Sequence, residues 1–289
     1  MVFSKACLIK NKFNTQFYFD PRLPFGGNET EWFNRFMSIG GKPVIVPRTF
    51  IYHYKNKTWR KSYKLKSTCL YTINTGNYEG NTINVKPIDN IDTLYFTDNM
   101  SLIPICIKKN IIPFYITSKA NPKLIQRTIK TQPHNYLPYH YDQSIYIDGN
   151  VIITNISILK QYLSLLNTYD LICFKHPDRI KVLDELYAIE KLQLESKTNV
   201  NSIKKILKEA RFKDNVGLTE TNILFRKHKS IIDFNNEWSK LITICIRDQA
   251  TFDFLLLKHN VKFNHLTFKD KLACITKHKH INPKERFIK

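Results

Sequence analysis

No stretch of about 18 or more apolar residues occurs in this sequence, the length a membrane-crossing helix needs, so no transmembrane segment is expected. The opening MVFSKACLIKNKFN lacks both a sustained apolar region and a small-residue cleavage site. A soluble, cytoplasmic protein is the expectation. Paired cysteines are missing too: Cys7, Cys69, Cys106, Cys173, Cys245 and Cys274 are scattered with no CxxC. That spacing excludes a disulfide framework and a cysteine zinc site and leaves buried free thiols. Acidic residues are scarce, 24 against 45 Lys and Arg, for a net charge of +21. The excess is spread along the chain and rich in Lys beside abundant Asn and Ile, as a coding bias produces. No zinc-finger, homeodomain or RRM signature accompanies it, so no specific nucleic-acid partner is expected. An anionic substrate or acidic glycan is a better use of the positive field.

What is present is enough apolar residue, 43% of 289, to bury a full core. The basic run KNKTWRKSYKLKS separates two apolar-patterned regions, which sets a boundary near 66 between a short N-terminal extension, 1–66, and a larger domain, 67–289. Strand patterns follow at Thr68 to Ile73, Thr93 to Asn99, Ile111 to Thr117, Ser144 to Thr154, Leu171 to His176 and Thr221 to His228. Helical spacings lie between or after them, at Lys123 to Lys130, Ile156 to Leu166, Ile180 to Leu194, Ser202 to Ala210 and Ser230 to Ile244. Alternating strands and helices predict a layered α/β sheet. In such a sheet ligands bind at the carboxyl ends of strands, so polar residues just after strands are the candidates for function.

Several such residues stand in recognisable blocks. YTINTGNYE (Tyr71 to Glu79), YFTDN (Tyr95 to Asn99), RTIKTQPH (Arg127 to His134), SIYIDGN (Ser144 to Asn150), KHPDR (Lys175 to Arg179), GLTETNILFRKH (Gly217 to His228) and RDQATF (Arg247 to Phe252) occur in this order. Together they resemble the glycosyltransferase-like family named for the plant turgor-regulation-defect and mucilage-related proteins. The resemblance covers more than two thirds of the chain and implies a GT-A-type, Rossmann-like mixed sheet flanked by helices. It also implies a nucleotide-diphosphate sugar as donor and a glycan or glycoprotein as acceptor. The first 66 residues are instead similar to the C-terminal end of a family-two glycosyltransferase, with the acidic motif read as Asn28, Glu29, Thr30, Glu31, Trp32. The nucleotide-binding strands that should precede that motif are absent, so the piece is read as a truncated remnant packed as an extension.

A nucleotide-sugar transferase must hold a diphosphate, usually through Mn²⁺ or Mg²⁺, and stabilise charge on the leaving phosphate. GT-A enzymes typically supply oxygen ligands from an Asp-x-Asp at a strand end. Here that stretch is Asp148, Gly149, Asn150. Asp148 and Asn150 are the expected metal ligands, although the second position is an amide and the triplet also reads as a tight turn. Arg127, Lys130 and His134 are expected at the donor phosphates, with a solvated basic helix as the alternative. Thr75, Gly76, Asn77 and Asp98 follow strands and are expected around the nucleoside, or are loop residues. His176, Asp178, Arg179, Thr219 and Glu220 fall toward the acceptor side, with Arg179 capping a helix or pairing with Asp178 as the alternative. Arg247, Asp248 and Gln249 sit at a junction between two helices. Asp248 is read there either as an N-cap or, with Glu220, Arg247 and Gln249, as part of the reaction centre. His278 and His280 are read as a late metal ligand or as a solvated tail. Two other functions stay open: a catalytically inactive nucleotide- or glycan-binding module, and a basic nucleic-acid-associated protein.

Overall fold

The computed structural model describes residues 66–117, 120–138 and 141–278. The expectations for 1–65, and for His280, lie outside the described residues.

Nine strands and nine α-helices succeed one another in chain order among the described residues. They are β1 Thr68–Asn74, β2 Asp92–Thr97, α1 Leu102–Lys108, β3 Ile112–Tyr115, α2 Pro122–Thr131, α3 Pro133–Tyr136, β4 Gln143–Ile147, β5 Val151–Ile153 and α4 Ile156–Ser164. Then come β6 Leu171–Lys175, α5 Val182–Lys191, α6 Lys197–Glu209, β7 Thr219–Lys227, α7 Ile232–Ile242, α8 Gln249–Lys258, β8 Phe263–Leu266, α9 Phe268–Cys274 and β9 Ile275–Lys277. Seven strands form one sheet in the order β3-β2-β1-β4-β7-β6-β8. Only β7 runs against its neighbours β4 and β6; every other pairing in this sheet is parallel. The expected mixed sheet flanked by helices is therefore the fold.

Burial on both faces explains why these strands read as apolar runs with little alternation. Along β1, Cys69, Tyr71 and Ile73 join one core and Leu70 the other. In β2, Leu94 and Phe96 face the first core and Tyr95 the second. The first core takes Phe234, Trp238 and Leu241 from α7 and Phe252, Leu255 and Leu256 from α8. The second takes Leu102 and Cys106 from α1 and Leu159 from α4. Each fully buried side chain of this size contributes about 1.5–3 kcal/mol. Cys69, Cys106, Cys173, Cys245 and Cys274 are buried free thiols, as their spacing predicts. No helix among the described residues is long and apolar enough to cross a membrane.

Two local devices shape the carboxyl edge of the sheet. Sheet order reverses at β1 and β4, which places a crevice at their carboxyl ends. Because β7 is antiparallel, its first residues, Thr219 to Thr221, reach the same edge. The second device breaks the single strand expected over Ser144 to Thr154. Asp148–Gly149–Asn150 turns the chain, closed by the Val151 N–H donating to the Asp148 carbonyl at 3.0 Å. β4 thus stays in the main sheet, while β5 pairs with β9 in a separate two-stranded sheet.

Candidate active site

The crevice is a cleft of about 800 Å³ at the carboxyl ends of β1 and β4. It brings together residues from distant blocks: Thr75 and Gly76 after β1, Arg127 and Lys130 on α2, Asp148 and Asn150 after β4, Glu220 on β7, and Arg247, Asp248 and Gln249 before or at the start of α8.

Asp248 is the centre of the charged floor. One oxygen, Oδ2, accepts from Arg127 at 3.0 Å, from the Thr221 hydroxyl at 2.8 Å and from the Lys130 ammonium. Its residue is 4% exposed. Burial works to raise its pKa, but Arg127 and Lys130 outweigh it and hold the carboxyl well below the usual carboxylate range. Asp248 is at the N-cap position of α8, yet its side chain makes no capping bond. The capping alternative is thereby displaced: two cations are stronger partners for a buried carboxylate than a backbone N–H. Trp238 on α7 fixes this junction by donating its indole N–H to the Asp248 carbonyl at 3.0 Å.

α2 presents its two cations because its start is well set. Asn121 accepts from the Lys123 and Leu124 N–H groups, and Pro122 opens the helix. Arg127 and Lys130, three residues apart, then face the cleft together. Lys130 is 1% exposed; burial lowers its pKa, opposed by Asp148 and Asp248. Lys123 also lines the cleft, its pKa pushed down to about 8 first by burial and then by Arg247 and Arg127. α2 is therefore not the solvated basic helix of the alternative reading.

The Asp-Gly-Asn turn is held from several sides. Asp148 Oδ1 accepts from the Tyr146 hydroxyl at 2.6 Å and lies 3.7 Å from Lys130. The Asn150 side-chain amide donates to the His278 carbonyl at 3.0 Å, and the His278 N–H donates to the Asn150 carbonyl at 3.2 Å. Gly149 packs against Glu79: a Cβ there would stand 2.9 Å from Glu79 Cγ. The triplet is thus both a turn and part of the cleft wall. Toward a hard dication the fit is poor. Asn150 can offer only a neutral amide oxygen while its nitrogen donates to the clasp, Asp148 faces a lysine, and no three His, Cys, Asp or Glu gather as ligands among the described residues.

Other expected residues fall behind or outside the cleft. Asp98 does not line it; its Oδ2 accepts the Gly76 N–H at 2.8 Å, fixing a loop in which Gly76 and Asn77 take positive φ of 64° and 56°. Asn77 is not a lining residue, whereas the Thr75 hydroxyl donates to the Pro122 carbonyl at 2.8 Å and so ties this loop to the start of α2. His134 is also away from the cleft, bonded to Asn236 at 3.1 Å, so its expected place at the phosphates is corrected. The turn at Pro133 carries it toward α7 instead. His176 accepts from the backbone N–H groups of Asp178 and Arg179, and Arg179 pairs with Glu185 at 2.7 Å, a local structural knot. Thr219 is fully buried against Asp253, leaving Glu220 as the lining residue of that pair. Gln249 donates to the Thr219 carbonyl at 3.2 Å.

Glu79 and Lys277 are among the lining residues for which the sequence carries no signal strong enough to find. Glu79 closes the YTINTGNYE block but is separated from Gly149 by 70 residues of sequence. Lys277 sits in a lysine-rich tail that reads as solvated; β9 pairs Lys277 with Val151 and so carries it and His278 to the cleft. Glu220 receives both Lys271 and Lys277 on its two oxygens.

No protein-family profile matches this chain, and neither does any curated protein. Solved structures similar to it include mouse xyloside xylosyltransferase 1 in its apo form, at 10% identity and TM-score 0.41 over 68% of this chain and 84% of that one. Core-mannan synthase A from Aspergillus fumigatus, in an Mn/GDP form, is similar at 9% identity and TM-score 0.42 over 79% and 80%. So is 4-diphosphocytidyl-2C-methyl-D-erythritol synthase from Anaerococcus prevotii, at 10% identity and TM-score 0.42 over 70% and 87%. At these identities and scores the likenesses decide nothing about donor, metal or acceptor, which rest on this chain's own residues.

Proposed function

We propose that the chain is a GT-A-type glycosyltransferase that takes a nucleotide-diphosphate sugar and passes the sugar to a glycan or glycoprotein acceptor. The observation that carries this reading is the convergence of Arg127, Lys130, Asp148 and Asp248 in one cleft at the point where the sheet order reverses. The loop at Thr75 and Gly76, with Asp98 behind it, lies on the nucleoside side. Arg127 and Lys130 meet the diphosphate, where buried cations stabilise the charge that grows on the leaving phosphate as the glycosidic bond breaks. Asp248 keeps those cations in place, and their charge makes it a weak base, so it acts by orientation and counter-charge, not as a proton acceptor. Gln249 and Glu220 stand beside it toward the sugar and acceptor.

The test is release of nucleoside diphosphate when the full chain is incubated with a panel of nucleotide sugars. One donor is expected to be bound and consumed, in transfer or slow hydrolysis. A panel neither bound nor consumed contradicts the reading. A second reading, a binding module without turnover, is favoured by one observation. The carboxylates of Asp248 and Glu220 are already occupied by cations, so neither is poised to take a proton from an acceptor. Binding without consumption, with acceptor glycans present, selects that second reading.

A further inference from the structure

We propose that this cleft holds the donor's diphosphate on lysine and arginine side chains without a divalent cation, and that Lys277 serves in the cation's place. The inference rests on the nucleotide-diphosphate reading above.

Three observations point this way. Two of the cleft's carboxylates are already paired with cations: Asp248 with Arg127 and Lys130, Glu220 with Lys271 and Lys277. Asp148 has Lys130 at 3.7 Å, so a dication approaching it meets a fixed positive charge. Such repulsion is weakly screened in a buried setting. An anionic diphosphate meets the opposite: cations already gathered and desolvated.

The second observation is how Lys277 is delivered. β9 is zipped to β5 directly after the Asp-Gly-Asn turn, with Val151 opposite Lys277. The double clasp between Asn150 and His278 locks the next residue to the same turn. Lys277 therefore enters the cleft from the turn where a GT-A metal would be held.

Third, Lys277 can change partners at little cost. Its side chain is 34% exposed, whereas Lys271 is 1% exposed and fixed against the other oxygen of Glu220. When the Lys277 ammonium turns to a phosphate oxygen, Glu220 keeps Lys271 and is not left as an unpaired buried charge. Glu220 is thus a parking site for Lys277 in the free protein and a positioning residue for it in the complex.

The experiment is calorimetric titration of the full chain with UDP, GDP, CDP, ADP and dTDP, once in EDTA and once in Mn²⁺. The expected result is that at least one nucleoside diphosphate binds in EDTA as tightly as in Mn²⁺. Lys277→Met should weaken that binding about tenfold, the scale of one charge-assisted hydrogen bond. Lys277→Arg should retain most of it, since it keeps the charge. Thermal unfolding of Lys277→Met separates loss of the site from loss of the fold, and the EDTA comparison needs no variant. Binding that appears only with Mn²⁺ overturns the inference and leaves the nucleotide reading standing. Unchanged affinity in a folded Lys277→Met protein overturns it too. If no nucleoside diphosphate binds in either buffer, the nucleotide reading fails and this inference with it.

Discussion

Arg127 donates to the Asp248 carboxylate over 3.0 Å and so ties the middle of α2 to the residue that precedes α8. The same oxygen takes Lys130 and Thr221, which joins α2, β7 and the α7–α8 junction at a single atom. A carboxylate with three donors on one oxygen is a structural hub as well as a part of the cleft, and changes to it are felt in both roles.

Asp248→Asn should therefore lower stability, although asparagine is as good an N-cap as aspartate. Removing one partner of a buried ion pair costs about 3–5 kcal/mol, and the lower end applies because Asp148 still faces Lys130 at 3.7 Å. Transfer should fall by roughly two orders of magnitude, the scale of misplaced reacting groups, because the charge orients them. Thermal unfolding and turnover of the same preparation check both. A variant as stable and as active as wild type would reduce Asp248 to a bystander.

Asn150→Asp discriminates a clasp from a metal ligand. A carboxylate cannot donate to the His278 carbonyl, so the bond at 3.0 Å is lost and two oxygens face each other. The expected outcome is a loss of about 1–3 kcal/mol, with weaker diphosphate binding as β9 loosens. Tighter binding that depends on Mn²⁺ would instead show position 150 acting as a ligand.

Gly149→Ala tests the packing of the turn. Its Cβ would lie 2.9 Å from Cγ of Glu79, a buried side chain 2% exposed. Overpacking of this kind costs about 1–3 kcal/mol. The accompanying displacement of Asp148 should be visible as weaker nucleotide binding. Wild-type unfolding and binding would show that Glu79 yields freely.

Asp253 gives a pH dependence remote from the cleft. Burial pushes its carboxyl up to about 7, against the hydrogen bonds from Thr219. Between the unfolded value, about 3.9, and about 7 the native state binds the extra proton. Stability from this group is then fully present below the unfolded value and lost as pH rises through the folded one. Relative to Asp253→Asn, wild type should lose unfolding free energy as pH rises across that window, measured by denaturant titration. A constant difference would mean that Asp253 is ionised throughout.

Much of the sheet is legible in the sequence because β1, β2, β6 and β7 are short runs of β-branched, aromatic and aliphatic residues buried on both faces. α2 and α7 are legible from apolar spacing. α1 hides behind an internal Pro104, and β8 is four half-buried residues without alternation. Thr75, Gly76, Asp148 and Asn150 are found by their place after strands. What one sequence does not carry is pairing at a distance. Arg127 and Asp248 lie 121 positions apart, so the capping role looks plausible until the fold brings α2 across. Lys277 is hidden for the same reason, since its three-residue strand acquires meaning only through Val151.

The most direct test of the account is a calorimetric titration of nucleotide-diphosphate sugars against wild type, Arg127→Met and Lys205→Met. Arg127 is the cleft cation at 3.0 Å from Asp248, while Lys205 is a 76% exposed lysine on α6 that serves as the control. Saturable one-to-one binding is expected for at least one donor, weakened about tenfold or more in Arg127→Met and unchanged in Lys205→Met. Equal weakening in both variants, or a donor that binds a folded Arg127→Met as tightly as wild type, would contradict the cleft as the donor site.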